Sequence, residues 1–164
     1  MKFIRVVLGC LLISASLSAQ NYFEKGNKYV GFEVNRTPGV HGGYFWDDRF
    51  AFQGGVILNI NGLENVTGFG LQFGIDRYAP YNQLVSFVGG TLTVGINPVA
   101  YSGSFYKGTQ VVLDGHWGLN LFVVNSLAIT GKVGMELVFD SPTDRGTQVS
   151  LNTFSSALEI HFFL

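Results

Sequence analysis

A regular alternation of apolar and polar side chains over residues 127–139 constrains the fold more than any other feature of the sequence. The intervening positions include both charged residues of the segment, Lys132 and Glu136. Side chains on a β-strand point alternately to the two faces of a sheet, whereas an amphipathic helix repeats about every 3.6 residues. The segment is therefore predicted to be a strand with one polar and one apolar face. The apolar face consists of Leu127, Ile129, Gly131, Val133, Met135, Leu137 and Phe139.

The same alternation recurs along the rest of the chain. Residues 40–46 and 149–164 complete a set of eight predicted strands, and each of the seven connections contains residues typical of turns. We therefore predict an all-β fold, an eight-stranded antiparallel up-and-down barrel, over residues 27–164. The other five alternating stretches are 30–35, 50–60, 68–76, 87–97 and 111–121. The predicted connections are Thr37-Pro38-Gly39, Asp47-Asp48-Arg49, Asn61-Gly62, residues 79–83, residues 98–104, Asn125-Ser126 and residues 140–147.

The composition favours strands that face lipid. Charged residues make up 13% of the chain, against about 25% in soluble domains. A transmembrane barrel meets lipid through strands with one apolar face, and carries amphipathic rings at the two membrane surfaces. The formal net charge of −1 gives no support for a nucleic-acid partner. Aromatic residues near predicted strand ends are candidates for such a girdle: Tyr44, Trp46, Phe50, Tyr78, Tyr81, Tyr101, Phe105 and Tyr106.

The N-terminus has the three parts of a secretory signal. Lys2 and Arg5 supply positive charge, residues 6–13 are apolar, and residues 14–19 are mostly small. We expect residues 1–19 to be a cleaved signal peptide and residues 20–26 to be a short periplasmic lead into the barrel. The one cysteine, Cys10, would leave with the signal, so that the mature chain would have no disulfide.

Polar side chains on the predicted inner face form the candidate functional site. The interior of an eight-stranded barrel is just wide enough to be filled by side chains, and buried charges persist when they are paired. We therefore predict a lumen network of ion pairs and hydrogen bonds, with Lys132 paired by one or more of Glu33, Glu136 and Asp114. The full set is Glu33, His41, Asp76, Asp114, His116, Lys132, Glu136, Glu159 and His161.

From about residue 27 to the end, the chain resembles the small eight-stranded outer-membrane barrels of the OmpA and OmpX type. The resemblance lies in the strand-turn-strand segment of residues 43–50 and in the final alternating strand. It implies a location in the outer membrane of a Gram-negative bacterium, among its lipids, with both chain ends on the periplasmic side. It also implies that barrel-assembly machinery recognises the last strand. The residues that resemble this assembly signal are Leu158, Ile160, Phe162 and Leu164, with leucine in the terminal place where the family has an aromatic residue.

A catalytic site on the inner face would need a nucleophile, and the sequence offers no candidate beside the histidines. His116 or His161 could act as a general base oriented by Asp114 or Glu159. Barrel-type lipid A deacylases resemble this layout, but they place a serine two residues after the histidine, where this chain has Gly118 and Phe163. We therefore expect no enzymatic activity.

Neither a metal nor another cofactor is expected. No two histidines lie two or four positions apart, and the strands that carry them are not sequential neighbours.

These features predict an integral outer-membrane barrel with a side-chain-filled lumen and a structural or adhesive role. Its outer loops are candidates for contact with an extracellular partner. Two alternatives remain open. One is a soluble exported barrel that binds an apolar ligand and would turn its apolar face inward. The other is a lipid A-modifying barrel enzyme.

Overall fold

The computed structural model describes residues 20–34, 38–61, 66–81, 84–97, 107–124, 126–144 and 146–164. The predicted signal peptide and the predicted connection at residues 98–104 lie outside these ranges.

The chain folds into a closed barrel of eight antiparallel strands in sequential order, in which the last strand pairs with the first. The all-β, eight-stranded prediction is confirmed. None of the helices among the described residues is long and apolar enough to cross a membrane. A short 3-10 helix, Gln20–Phe23, precedes β1 (Lys28–Glu33), β2 (Gly39–Phe45), β3 (Phe50–Asn61), β4 (Val66–Tyr81), β5 (Leu84–Ile96), β6 (Gly108–Val124), β7 (Leu127–Pro142) and β8 (Gln148–Phe163).

The predicted faces are the observed faces. On β7, Val133 is 40% exposed on the outside, whereas its near neighbour Thr130 is fully buried in the lumen. The same division holds on β4, where Phe73 points outward and Asp76 inward. The pleat therefore sorts the apolar series to the outside of the barrel and the polar series to its interior.

Two predicted connections begin later than expected because the preceding strands extend to or beyond a proline. β4 runs to Tyr81 through Pro80, and β7 ends at Pro142. At Pro80 only the β5 side of the strand is paired, because the ladder with β3 has already ended at the Phe50–Arg77 pair. Pro142 likewise pairs with Gly108 of β6, beyond the last β7–β8 pair. A strand edge without a partner does not need the amide hydrogen that proline lacks.

A β-bulge interrupts the alternation of β8. Asn152 pairs with Glu136 and Ser155 pairs with Gly134, so two residues of β8 oppose Met135 of β7. The extra residue allows Thr153 and Phe154 both to point outward, and Phe154 is 75% exposed. The bulge keeps the polar side chains of Asn152 and Glu159, which lie on either side of it, on the inner face of β8.

An aromatic layer fills the lower end of the barrel, which we define as the end where β1 begins and β8 ends. The 3-10 helix places the ring of Phe23 in this layer, and Gly26 turns the chain into β1 with a φ of 96°, which favours glycine. Phe23 therefore forms part of the barrel core, and Tyr22 packs against that core. Tyr78, predicted to lie in the outer girdle, is 1% exposed and belongs to this layer. The aromatic layer consists of seven buried residues: Phe23, Tyr29, Phe45, Tyr78, Phe87, Phe122 and Phe163.

Candidate functional site: a polar network in the lumen

Seven of the nine predicted lumen residues form two clusters above the aromatic layer: Asp76, Asp114 and His116 in one, and His41, Lys132, Glu159 and His161 in the other. The first joins β4 and β6, and the second joins β2, β7 and β8. Six of the nine predicted residues are less than 9% exposed, namely His41, Asp76, His116, Glu136, Glu159 and His161. The structure therefore places the predicted set inside the barrel and divides it between separate sites.

In the first cluster, His116 lies between two carboxylates. Its Nε2 is 2.9 Å from Oδ1 of Asp76, and its Nδ1 is 2.5 Å from Oδ1 of Asp114. Neutral imidazole has one N–H donor, so only the imidazolium can donate to both carboxylates. His116 thus acts as the cation of a buried Asp–His–Asp triad, and neither of its nitrogens is free to act as a base.

In the second cluster, the Nε2 atoms of two histidines meet beside a carboxylate. Nε2 of His161 is 2.8 Å from Oε2 of Glu159 and 3.3 Å from Nε2 of His41. Nε2 of His41 is 3.8 Å from the same Glu159 oxygen. Three potential ligand atoms therefore surround one point in the lumen.

The closure of the barrel explains why these residues meet. Gly31 of β1 pairs with His41 of β2 on one side and with His161 of β8 on the other. A Cβ atom on Gly31 would lie 2.3 Å from Nε2 of His41 and 2.8 Å from Cδ2 of His161. Glycine at position 31 therefore leaves the space into which the two imidazole rings turn.

The structure gives Lys132 a partner that the sequence analysis did not name. Its Nζ lies 2.9 Å from Oε1 of Glu159. Of the expected partners, Asp114 lies in the histidine triad, and Oε2 of Glu136 accepts a hydrogen bond from Nδ2 of Asn152 at 3.3 Å. The β7–β8 register explains the contact with Glu159, because Lys132 pairs with Ala157, two residues before Glu159 on the same face of β8.

The sequence analysis expected no common site for the histidines because they are widely spaced along the chain. For His41 and His161 this expectation is wrong, since their side chains are in contact. Spacing within one strand could not reveal this pair, because the two residues come from opposite ends of the chain. The available signal was closure of the barrel, which places β8 beside β1. Even so, the register of both ladders was needed to bring the residues into one row.

The remaining predicted residues lie on the face that the strand alternation assigns to them. Gly118 and Phe163, which occupy the positions where the deacylases have a serine, both lie on the lumen side. The four residues of the expected assembly signal lie on the outer side of β8, with Leu158 43%, Phe162 44% and Leu164 72% exposed. Their role in assembly stays a prediction.

Comparison with known proteins bears on the fold. No protein-family model matches the chain, and no curated protein matches it. Among solved structures, the chain is similar to the N-terminal β-barrel domain of OprF from Pseudomonas aeruginosa, with a TM-score of 0.57 and 13% sequence identity. The match covers 85% of this chain and 98% of that domain. The chain shares the fold of that barrel domain.

Proposed function

We propose that the mature chain is an integral outer-membrane barrel of a Gram-negative bacterium, with a side-chain-filled lumen and a structural or adhesive role. The observation that carries the proposal is the outer surface of the described strands. It exposes a broad band of apolar side chains, among them Phe73, Leu92 and Val133. Such a surface is costly in water and suited to lipid.

The charges on the outer surface lie towards the lower end. Lys28 begins β1, and Arg77 pairs with Phe50, the first residue of β3. Tyr44 and Trp46 lie at the same end and are each 44% exposed. Lysine, arginine, tyrosine and tryptophan are the residues that favour a membrane surface. The lower end is therefore proposed to lie at a membrane surface. We assign it to the periplasmic surface because the resemblance to OmpA-type barrels implies that both chain ends lie on that side.

The aromatic layer supports a barrel without an open aqueous pore. Phe23 contacts the rings of Phe45, Tyr78, Phe122 and Phe163 at centroid distances of 5.0–5.9 Å. Above this layer the two charged clusters occupy the lumen. We therefore assign the charged residues to stabilisation of the barrel rather than to catalysis or transport.

The proposed partners follow from the location. Outer-membrane lipids would cover the apolar band, and the assembly machinery would bind the outer side of β8 through Leu158, Ile160, Phe162 and Leu164. The upper connections would supply any extracellular contact. The packing opposes the soluble ligand carrier, which requires an apolar interior and a charged exterior.

A pair of arginine substitutions tests the membrane assignment. Val133→Arg puts a charge on the outer face near the middle of β7, where lipid insertion costs about 2–4 kcal/mol. Thr109→Arg puts the same charge on the outer face at the start of β6, where the cost near a membrane surface is about 0–1 kcal/mol. We expect Val133→Arg to block assembly and Thr109→Arg to yield heat-modifiable barrel in the outer-membrane fraction.

Two results would overturn the assignment. One is release of the unsubstituted protein with the periplasmic contents. The other is equal assembly of both arginine variants, since a soluble barrel has no reason to distinguish these two exposed positions.

A further inference from the structure

The second lumen cluster has the composition and spacing of a metal site. Nε2 of His41, Nε2 of His161 and Oε2 of Glu159 all lie within 4.8 Å of one another, and all three residues are buried. The three separations are 3.3, 2.8 and 3.8 Å. Imidazole and carboxylate groups are the ligands of three-coordinate protein sites for Zn²⁺, which leave the fourth position open.

The separations fit tetrahedral coordination. Ligand atoms about 2.0–2.1 Å from a tetrahedral Zn²⁺ lie about 3.3–3.4 Å from each other. The His41–His161 distance of 3.3 Å already has this value. The two distances to Glu159 depart from it by about half an ångström in opposite directions, so a small rotation of one carboxylate equalises them.

We propose that the lumen binds one first-row divalent metal ion, with Zn²⁺ as the best match, through His41, Glu159 and His161. On binding, Nε2 of His161 gives up the proton that it donates to Glu159, which moves to Nδ1 of the same ring or is released to solvent, because each ligand must present a lone pair to the metal. The proposal depends on the lumen geometry and is independent of the membrane in which the barrel resides.

The surrounding residues hold the three ligands in place. Nζ of Lys132 binds the other carboxylate oxygen of Glu159 at 2.9 Å, which leaves Oε2 directed at the histidines. The ring of Tyr29 stacks on His161 at a centroid distance of 4.9 Å and meets His41 edge to face at 5.9 Å. An outer hydrogen bond such as that from Lys132 to Glu159 orients a metal ligand and increases affinity, and the ring of Tyr29 restricts the two imidazoles by packing. Gly31 provides the space for both imidazoles.

The position of the site suggests a structural role for the metal. His41 lies on β2, whereas Glu159 and His161 lie on β8, and β1 separates these two strands. β1 has only 6 residues and β2 has 7, while β8 has 16. A metal bound to both sides would join the first and last parts of the chain across the shortest strand of the barrel.

Metal binding can be measured on chain produced without a polyhistidine tag. Cys10→Ser serves as the background, so that the chain contains no thiol. The barrel is refolded in detergent with Zn²⁺ or Co²⁺, freed of excess metal, and assayed for bound metal and for the visible spectrum of tetrahedral Co²⁺. We expect one metal per barrel and a higher urea midpoint in its presence.

The three histidines provide matched variants. His41→Gln removes a ligand and is expected to lower affinity by at least about 100-fold, since loss of an outer contact alone costs about 10- to 100-fold. His116→Gln removes the histidine of the other cluster and should retain the metal. Circular dichroism and heat-modifiable migration establish that each variant is folded.

Two results would overturn the proposal. The first is a folded unsubstituted barrel that binds no metal at micromolar concentrations. The second is unchanged affinity and stoichiometry in folded His41→Gln. If His41→Gln does not fold, His161→Gln replaces it, because it removes another of the three ligands and is expected to lower the affinity to a similar extent.

Discussion

His41 and His161 lie 120 positions apart in the sequence, yet their Nε2 atoms are 3.3 Å apart in the lumen. The contact exists because both residues pair with Gly31, whose missing side chain leaves room for the two rings. This relationship makes position 31 a sensitive point of the barrel.

Gly31→Ala should destabilise the barrel by about 1–3 kcal/mol, the usual cost of overpacking a filled interior. The added methyl group would lie within 3 Å of both imidazoles. Gly131→Ala is the matched control, because a Cβ there meets nothing within 4 Å. Urea unfolding of refolded protein measures both, and a similar midpoint for the two variants would contradict the packing argument.

Replacement of His116 should expose the cost of two unpaired carboxylates. His116→Leu leaves Asp76 and Asp114 close together without the intervening cation, and breaking a buried ion pair in this way costs about 3–5 kcal/mol. His116→Gln keeps an N–H donor and should cost less. Urea midpoints at neutral pH compare the two, and an equal loss would show that an N–H donor at position 116 does not stabilise Asp76 and Asp114.

Phe23→Ala should weaken the lower end of the barrel. Phe23 is 1% exposed and contacts four other rings, and truncation of such a side chain costs about 3–5 kcal/mol. Glu24→Ala, one position later on the exposed side, is the control. The free energy of unfolding in detergent or lipid measures the effect. A wild-type value for Phe23→Ala would mean that residues 20–26 are not part of the folded core.

The turn between β2 and β3 should contribute to the pH dependence of stability. Asp47 Oδ1 accepts hydrogen bonds from the backbone amides of Arg49 and Phe50 at 2.8 and 2.9 Å. The bond from Arg49 is the main reason that the pKa of Asp47 lies below its ordinary value. A lowered folded-state pKa means that stability is gained above the unfolded pKa and lost as the pH falls through the folded one.

Asp47→Asn tests this titration. The amide keeps an acceptor oxygen without the ionisable group, so the stability difference from the unsubstituted barrel should be present at neutral pH and disappear in acid. Urea midpoints between pH 7 and about pH 2 follow the difference. A difference that does not change with pH would exclude Asp47 as its source.

The alternation of apolar and polar residues was sufficient to predict which face of the barrel each strand residue lies on. Val133 and Lys132 could be assigned to opposite faces from the sequence because side chains alternate along any extended strand. Strand ends were harder to predict. Pro80 and Pro142 look like turn residues, but each lies in a strand whose neighbour on one side has already ended.

The sequence by itself determined the number of strands, the apolar outer face, and the polar residues of the interior above the aromatic layer. Only the tertiary structure decided which lumen residues meet. Lys132 pairs with Glu159 because of the β7–β8 register, and His41 meets His161 because β1 closes the barrel between their strands. Alternation follows from the backbone of each strand alone. Contacts across the lumen depend instead on the registers of several ladders together, and the alternation within a single strand does not specify these registers.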